Sequence, residues 1–297
     1  MKQIALLAVC CSGSSLAAQE KPTRPHITGV DHVRIYVTDL DKSRDFYRKL
    51  MAGSYRDSPC DESVDSCLNI RWGTDESIEL QKAPASGAKN WVAQVAFSTN
   101  DAEGMRRYLL AHGVAAGEIS KEKLDAHFEV RDPEDVGISF VERFVHQTDY
   151  LTTLIVRLLH AGFVVKSLPA ENHFYRDLLG FHLYWRGGFH DDGLDWYEIQ
   201  VPDGDNWIEY MLNIPDNADH RELGVQNHFS FGVVDIHAAA DELRKNGLRK
   251  FDGPEIGRDG KWALDVYDPD GTRIELMEFK PAQKPCCHPY TAGHPKP

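Results

Sequence analysis

The sequence predicts an α+β protein in which one βαβββ unit is used four times. Three observations carry that expectation. Four stretches open on an alternating apolar strand: Val30–Val37, Trp91–Phe97, Leu158–Val165 and His228–Val234. Each is followed by a segment with apolar residues at helical spacing. The positions also repeat: His32 to Gln94 is 62 residues, His160 to His228 is 68, and His32 to His160 is 128.

In the first unit Val33, Ile35 and Val37 share one strand face, which leaves His32, Arg34 and Tyr36 on the other. A helix is predicted over Thr38–Met51, with Asp39 as its N-cap and Phe46, Tyr47 and Leu50 on its apolar side. The unit closes on Ser77–Gln81, where Glu79 stands between Ile78 and Leu80. The second unit has its helix over Asn100–His112, stopped by Gly113, and closes on the strand after Asp132-Pro133. The third has a helix over Pro169–Leu179 and strands at Phe181–Arg186, Trp196–Val201 and Trp207–Met211. The fourth has a helix over Asp235–Asn246 and ends on the turn Asp268-Pro269-Asp270-Gly271, which feeds Thr272–Glu278. There Ile274 and Leu276 face one way, and Arg273, Glu275 and Met277 the other. A carboxylate in mid-strand is costly unless its face lines a polar cavity or holds a metal.

Of 297 residues, 42% are hydrophobic and 27% charged, a globular composition long enough for two domains. The formal net charge of −13 argues against nucleic acid or an anionic membrane as partner. No internal apolar run is long enough to span a bilayer. Lys2, the apolar Ile4–Cys11 and the small residues of Ser15–Ala18 read as a signal peptide over 1–18, so a periplasmic or secreted location is expected. A polar leader covers 19–28. The domains are then 29–143 and 158–280, with a linker at 144–157 and a Pro-rich, disordered tail at 281–297. Cys60 and Cys67 bracket a short loop and could pair in an oxidising compartment. Cys286, Cys287, His288 and His294 could alternatively make the tail a metal binder.

Asp31-His32-Val33, Phe46-Tyr47, His160–Val165, Phe174–Phe181 and Asp268 through Glu275 resemble the vicinal oxygen chelate superfamily. That group includes glyoxalase I, extradiol dioxygenases, methylmalonyl-CoA epimerase and the fosfomycin and bleomycin resistance proteins. The resemblance spans about residues 29 to 279. It implies two cupped, incomplete barrels, each made of two βαβββ units, with metal ligands on first and last strands. Carried over position by position, it implies a metal set of His160, Glu209, His228 and Glu275. The corresponding N-terminal set is His32, Glu79, Gln94 and Ser139, degenerate because Ser139 replaces the second carboxylate. Two imidazoles and two carboxylates suit one divalent metal: Zn, Ni, Fe(II), Mn or Co.

Three functions fit. One is a glyoxalase-like lyase or isomerase, in which the metal chelates vicinal oxygens of a small substrate and Glu275 or Glu209 moves a proton. The second is an Fe(II) extradiol-type dioxygenase using His160, His228 and Glu275. Against it, Asp252–Lys261 contains no histidine, and Asp265 stands where that group's signature has a tyrosine. The third is a non-catalytic small-ligand binder. Tyr184, Arg186, Trp207 and Trp262 are the expected substrate contacts. Arg258 and Lys261 lie in a loop that either clamps an anionic group or is simply solvated. The same holds for His190-Asp191-Asp192, which reads as a metal-like cluster or an exposed loop. With both halves in one chain, a monomer or a homodimer is feasible.

Overall fold

A computed structural model describes residues 22–51, 56–60, 66–71, 76–85, 91–145 and 154–297. The expected signal peptide, the start of the leader and residues 146–153 of the linker lie outside the described residues. Two eight-stranded sheets carry the fold. The first contains β1 (Ile27–Val37), β2 (Arg56–Pro59), β3 (Cys67–Arg71), β4 (Ser77–Lys82), β5 (Val92–Thr99), β6 (Ser120–Lys121), β7 (Asp125–Arg131) and β8 (Gly137–Arg143). Their order is β2-β3-β4-β1-β5-β8-β7-β6. The second contains β9 (Arg157–Val164), β10 (His182–Gly187), β11 (Trp196–Gln200), β12 (Trp207–Met211), β13 (His228–Val233), β14 (Asp252–Ile256), β15 (Trp262–Tyr267) and β16 (Arg273–Glu278). Its order, β10-β11-β12-β9-β13-β16-β15-β14, repeats the first. These are the four βαβββ units in two curled half-barrels.

The helices are α1 (Leu40–Leu50), α2 (Ala102–Ala111), α3 (Leu168–Glu171, continuing as a π-helix over Asn172–Leu178), α4 (His220–Gln226) and α5 (Ile236–Lys245). Asp39, Asp101 and Asp235 cap α1, α2 and α5, each accepting a backbone N–H from the first turn. α4 is an addition that the unit pattern does not contain. Gly113 and Gly247 follow α2 and α5 at φ of +83° and +88°, the left-handed region that stops a helix. One apolar cluster runs through both halves, with Val33, Phe97, Phe163 and Phe229 all fully buried within it.

The halves dock by exchanging tyrosines. Tyr47 of α1 donates its hydroxyl to Asp268 at 3.4 Å, and Tyr175 of the π-helix donates to Asp132 at 3.1 Å. The same two aspartates close their own turns, Asp268 by accepting from Asp270 and Thr272 N–H and Asp132 from Glu134 and Val136 N–H. Burial pushes both carboxyls up to about 7. The repeated Phe-Tyr and Asp-Pro pairs are therefore one interface used twice.

The expectation of a disordered tail is corrected. Thr291 donates its backbone N–H to Tyr184 O at 2.9 Å, and the Trp185 indole donates to His288 O at 3.0 Å. Tyr290 donates to Asp259 at 3.0 Å. The physical reason is that β10 is a sheet edge with free backbone groups. Beside it, Tyr290 and Ala292 pack on an apolar cluster formed by Leu159, Tyr184, Trp207, Ala263, Met277 and Phe279. Cys286 and Cys287 are joined in a disulfide, and their sulfurs lie within 4.8 Å of an Asp191 carboxylate oxygen, a group that in its reduced form could hold a metal. Cys60 and Cys67 are also joined. Tyr290→Ala is expected to cost about 1–3 kcal/mol, read by chemical denaturation. A change below about 0.5 kcal/mol would mean that the tail is not held by this cluster.

Candidate metal centre

The C-terminal candidates come from four adjacent strands. His160 lies in β9, Glu209 in β12, His228 opens β13 and Glu275 lies in β16. Strand alternation puts their side chains on one face. His160 Nε2 is 3.1 Å from His228 Nε2 and 3.5 Å from Glu275 Oε2. Glu209 Oε2 is 3.0 Å from His228 Nε2 and 3.7 Å from His160 Nε2. One ligand atom each from His160, His228 and Glu275 all lie within 4.8 Å of one another.

The donor set fits a divalent metal. His228 Nδ1 donates to the Gln226 carbonyl at 3.1 Å, which leaves the Nε2 lone pair aimed at the other three residues. Burial holds both imidazoles well below their ordinary pKa, and neutral rings are what a metal needs. Glu275 is pushed well above the usual carboxylate range, first by burial and then by Asp265, with Arg273 opposing. A cation among these carboxylates would reverse that. Metal uptake must therefore release the Glu275 proton, and affinity should rise with pH. Calorimetry in two buffers of different ionisation enthalpy is expected to show proton release on metal binding. No release would remove Glu275 from the ligand set.

Gly162 makes the site possible. It pairs with His228 across β9 and β13, and a Cβ there would lie 2.0 Å from His228 Cε1. In the N-terminal half the same repeat position is Arg34, which pairs with Gln94. Arg34 Nε donates to Glu79 Oε2 at 2.7 Å, and NH1 lies 3.5 Å from Glu129. Burial raises Glu79, but His32 and Arg34 outweigh it and hold the carboxylate below its ordinary value. Ser139 donates away, to Phe128 O, and Gln94 donates to Glu129. The expected degenerate site His32, Glu79, Gln94 and Ser139 is thus occupied by the chain's own cation and does not fit a metal.

A cavity of about 240 Å³ opens onto the C-terminal centre. His160, Glu209, Arg273, Glu275 and Met277 border it, which supports the face assigned to the last strand. The four expected substrate contacts do not border it, and this is a correction. Tyr184 and Trp207 are fully buried under the tail, and Trp207 stacks on His160 at 4.7 Å. Trp262 packs on His237. In β10 a register irregularity between Leu183 and Trp185 breaks the alternation from which Tyr184 and Arg186 were chosen. Trp185, Trp196 and Glu198 border the cavity instead. The anion clamp is corrected too. Lys261 is fully buried, its ammonium 4.3 Å from the Trp207 ring centre, and Arg258 donates to Asp191 at 2.6 Å. Gly162 and Arg34 escaped the sequence reading, although aligning the repeats would have set one against the other.

The family follows from comparison with known proteins. The sequence profile of the Glyoxalase/Bleomycin resistance protein/Dioxygenase superfamily matches residues 29–140 and 157–276. The chain belongs to this superfamily. Its fold is similar to solved structures of homoprotocatechuate 2,3-dioxygenase from Brevibacterium fuscum. One variant of that enzyme is 21% identical with a TM-score of 0.67, covering 94% of this chain and 76% of the other. Its complex with 3,4-dihydroxyphenylacetate is 20% identical with a TM-score of 0.65, covering 89% of this chain and 83% of the other. No curated protein sequence matches the chain. No helix among the described residues is long and apolar enough to cross a membrane.

Proposed function

We propose that this superfamily member is a metal-dependent lyase or isomerase that moves a proton on a small substrate with two vicinal oxygens. The observation that carries the reading is a fourth donor, Glu209, beside the group His160, His228 and Glu275. When bound, a divalent metal would supply Lewis acidity to the substrate oxygens. His160, His228 and Glu275 would hold it, and Glu209 would accept and return the proton. Trp207, stacked on His160, fixes that imidazole's plane. The signal-peptide pattern of the N-terminal sequence supports a periplasmic or secreted location for this activity.

A second reading, an Fe(II) ring-cleaving dioxygenase, has support of its own. Two histidines and one carboxylate form the facial set of such iron sites, and the similar solved structures are enzymes of that kind. The cavity, however, is bordered by no histidine apart from the ligand His160.

One experiment separates them. Protein loaded in turn with Zn(II), Ni(II) and Fe(II) is mixed with α-hydroxyketones in D2O and with catechols in an oxygen electrode. Deuterium incorporation at the carbon beside the carbonyl, lost in Glu209→Gln with metal retained, supports the proposal. Oxygen uptake by the Fe(II) form alone would replace it with the second reading. Neither signal would leave a ligand-binding protein.

A further inference from the structure

The metal-centre cavity is acidic. Seven carboxyl groups border it against two arginines, a formal charge of −5 with every group ionised, although burial pushes Glu198, Asp265 and Glu275 up towards their neutral forms. Both arginines are already engaged. Arg273 lies 3.6 Å from Asp265, and Arg258 is turned out to Asp191 at 2.6 Å and to Gly188 O at 3.2 Å. The nearby lysine, Lys261, is enclosed by Trp207, Tyr184 and Tyr290, and its closest carboxylate is Asp259 at 3.6 Å.

Two carboxylates, Asp252 and Glu255, are then left without a cation among the described residues, and a third, Glu198, feels the enclosed Lys261 without an ion pair to it. Glu198 is 3% exposed, borders the cavity, and has one oxygen, Oε2, with no hydrogen-bond partner. Asp252 accepts only from the neutral Tyr267 hydroxyl at 3.0 Å. Glu255 stands exposed at the mouth. Trp185 and Trp196 complete this wall, and an indole face attracts an ammonium group. A buried, unpartnered carboxylate oxygen is expensive unless something enters to meet it.

From this wall we infer that the substrate is cationic: a small molecule with two vicinal oxygens for the metal and a protonated amine. The amine meets Glu198 and the pair Asp252 and Glu255, between the two tryptophans. An acidic substrate is repelled by the same wall. The inference rests on the metal-chelating reading of the site but not on which chemistry follows. It separates this cavity from that of the solved relative, whose bound ligand, 3,4-dihydroxyphenylacetate, carries a carboxylate.

The test uses the full chain loaded with Co(II), whose visible spectrum reports chelation without turnover. Three catechols of matched size are titrated under argon: dopamine (cationic), 4-methylcatechol (neutral) and 3,4-dihydroxyphenylacetate (anionic). Dopamine is expected to bind about tenfold more tightly than 4-methylcatechol, and the acid about tenfold more weakly. Glu255→Gln with Asp252→Asn, both exposed positions, should cut the dopamine preference at least about threefold and leave 4-methylcatechol alone. If the neutral catechol binds and dopamine is not preferred, the charge inference is overturned and the metal reading stands. If none of the three perturbs the cobalt spectrum, both fall.

Discussion

His228→Ala is expected to lower metal affinity by about a hundredfold or more, whereas His32→Ala leaves it unchanged. The two residues occupy equivalent positions in paired units, so a purely compositional effect would treat them alike. The asymmetry comes from their surroundings. His228 Nε2 converges with His160 and Glu209 at 3.1 and 3.0 Å. His32 is tied through Nδ1 to Asp31 at 2.8 Å, and Asp31 is clamped by Arg143. Across the N-terminal cup, Arg34 already neutralises Glu79. Elemental mass spectrometry on the two variants decides the matter: about one metal per chain in wild type and His32→Ala, and almost none in His228→Ala. Equal loss in both would show that the two halves contribute alike to metal binding. The ratio corresponds to about 2.7 kcal/mol at 25 °C.

Gly162→Ala should do nearly as much damage without touching a ligand. Its methyl would fall 2.0 Å from His228 Cε1 and 2.7 Å from Nε2, so the imidazole must leave its place or the strands must part. The expected result is loss of metal at least comparable to a second-sphere deletion, about 10–100-fold. Overpacking should cost about 1–3 kcal/mol of stability. The control is Arg34→Ala. It removes the guanidinium from Glu79 in the other half and should leave C-terminal metal content intact. If Gly162→Ala binds metal as wild type does, the β9–β13 approach is looser than the geometry indicates, and His228 is not held by it.

Much of the site was legible before the fold was known. Alternation within each strand put His160, Glu209, His228 and Glu275 on polar faces, and the repeat made them equivalent to one another. Those arguments are local or periodic, so they survive without coordinates. Face parity failed where a strand is irregular: past the break between Leu183 and Trp185, Tyr184 and Arg186 are no longer the residues that meet the cavity. The tail misled for a different reason. Its Pro-rich composition resembles disordered chain, but Tyr290 and Ala292 find an apolar cluster whose members come from β9, β10, β12, β15 and β16 and the residue following β16.

The sequence by itself determined the four units and their pairing into two halves, because period-2 strands and capped helices are set by neighbours along the chain; the four candidate donors came from the resemblance to the superfamily, with strand parity in agreement. The tertiary structure decided which half can hold a metal and what may approach it. Both depend on residues far apart in sequence: Gly162 under His228, Arg34 against Glu79, Lys261 closed in by the tail, and Glu198 left facing the cavity. Such choices rest on close packing and unbalanced charge between strands, which no single segment of the chain contains.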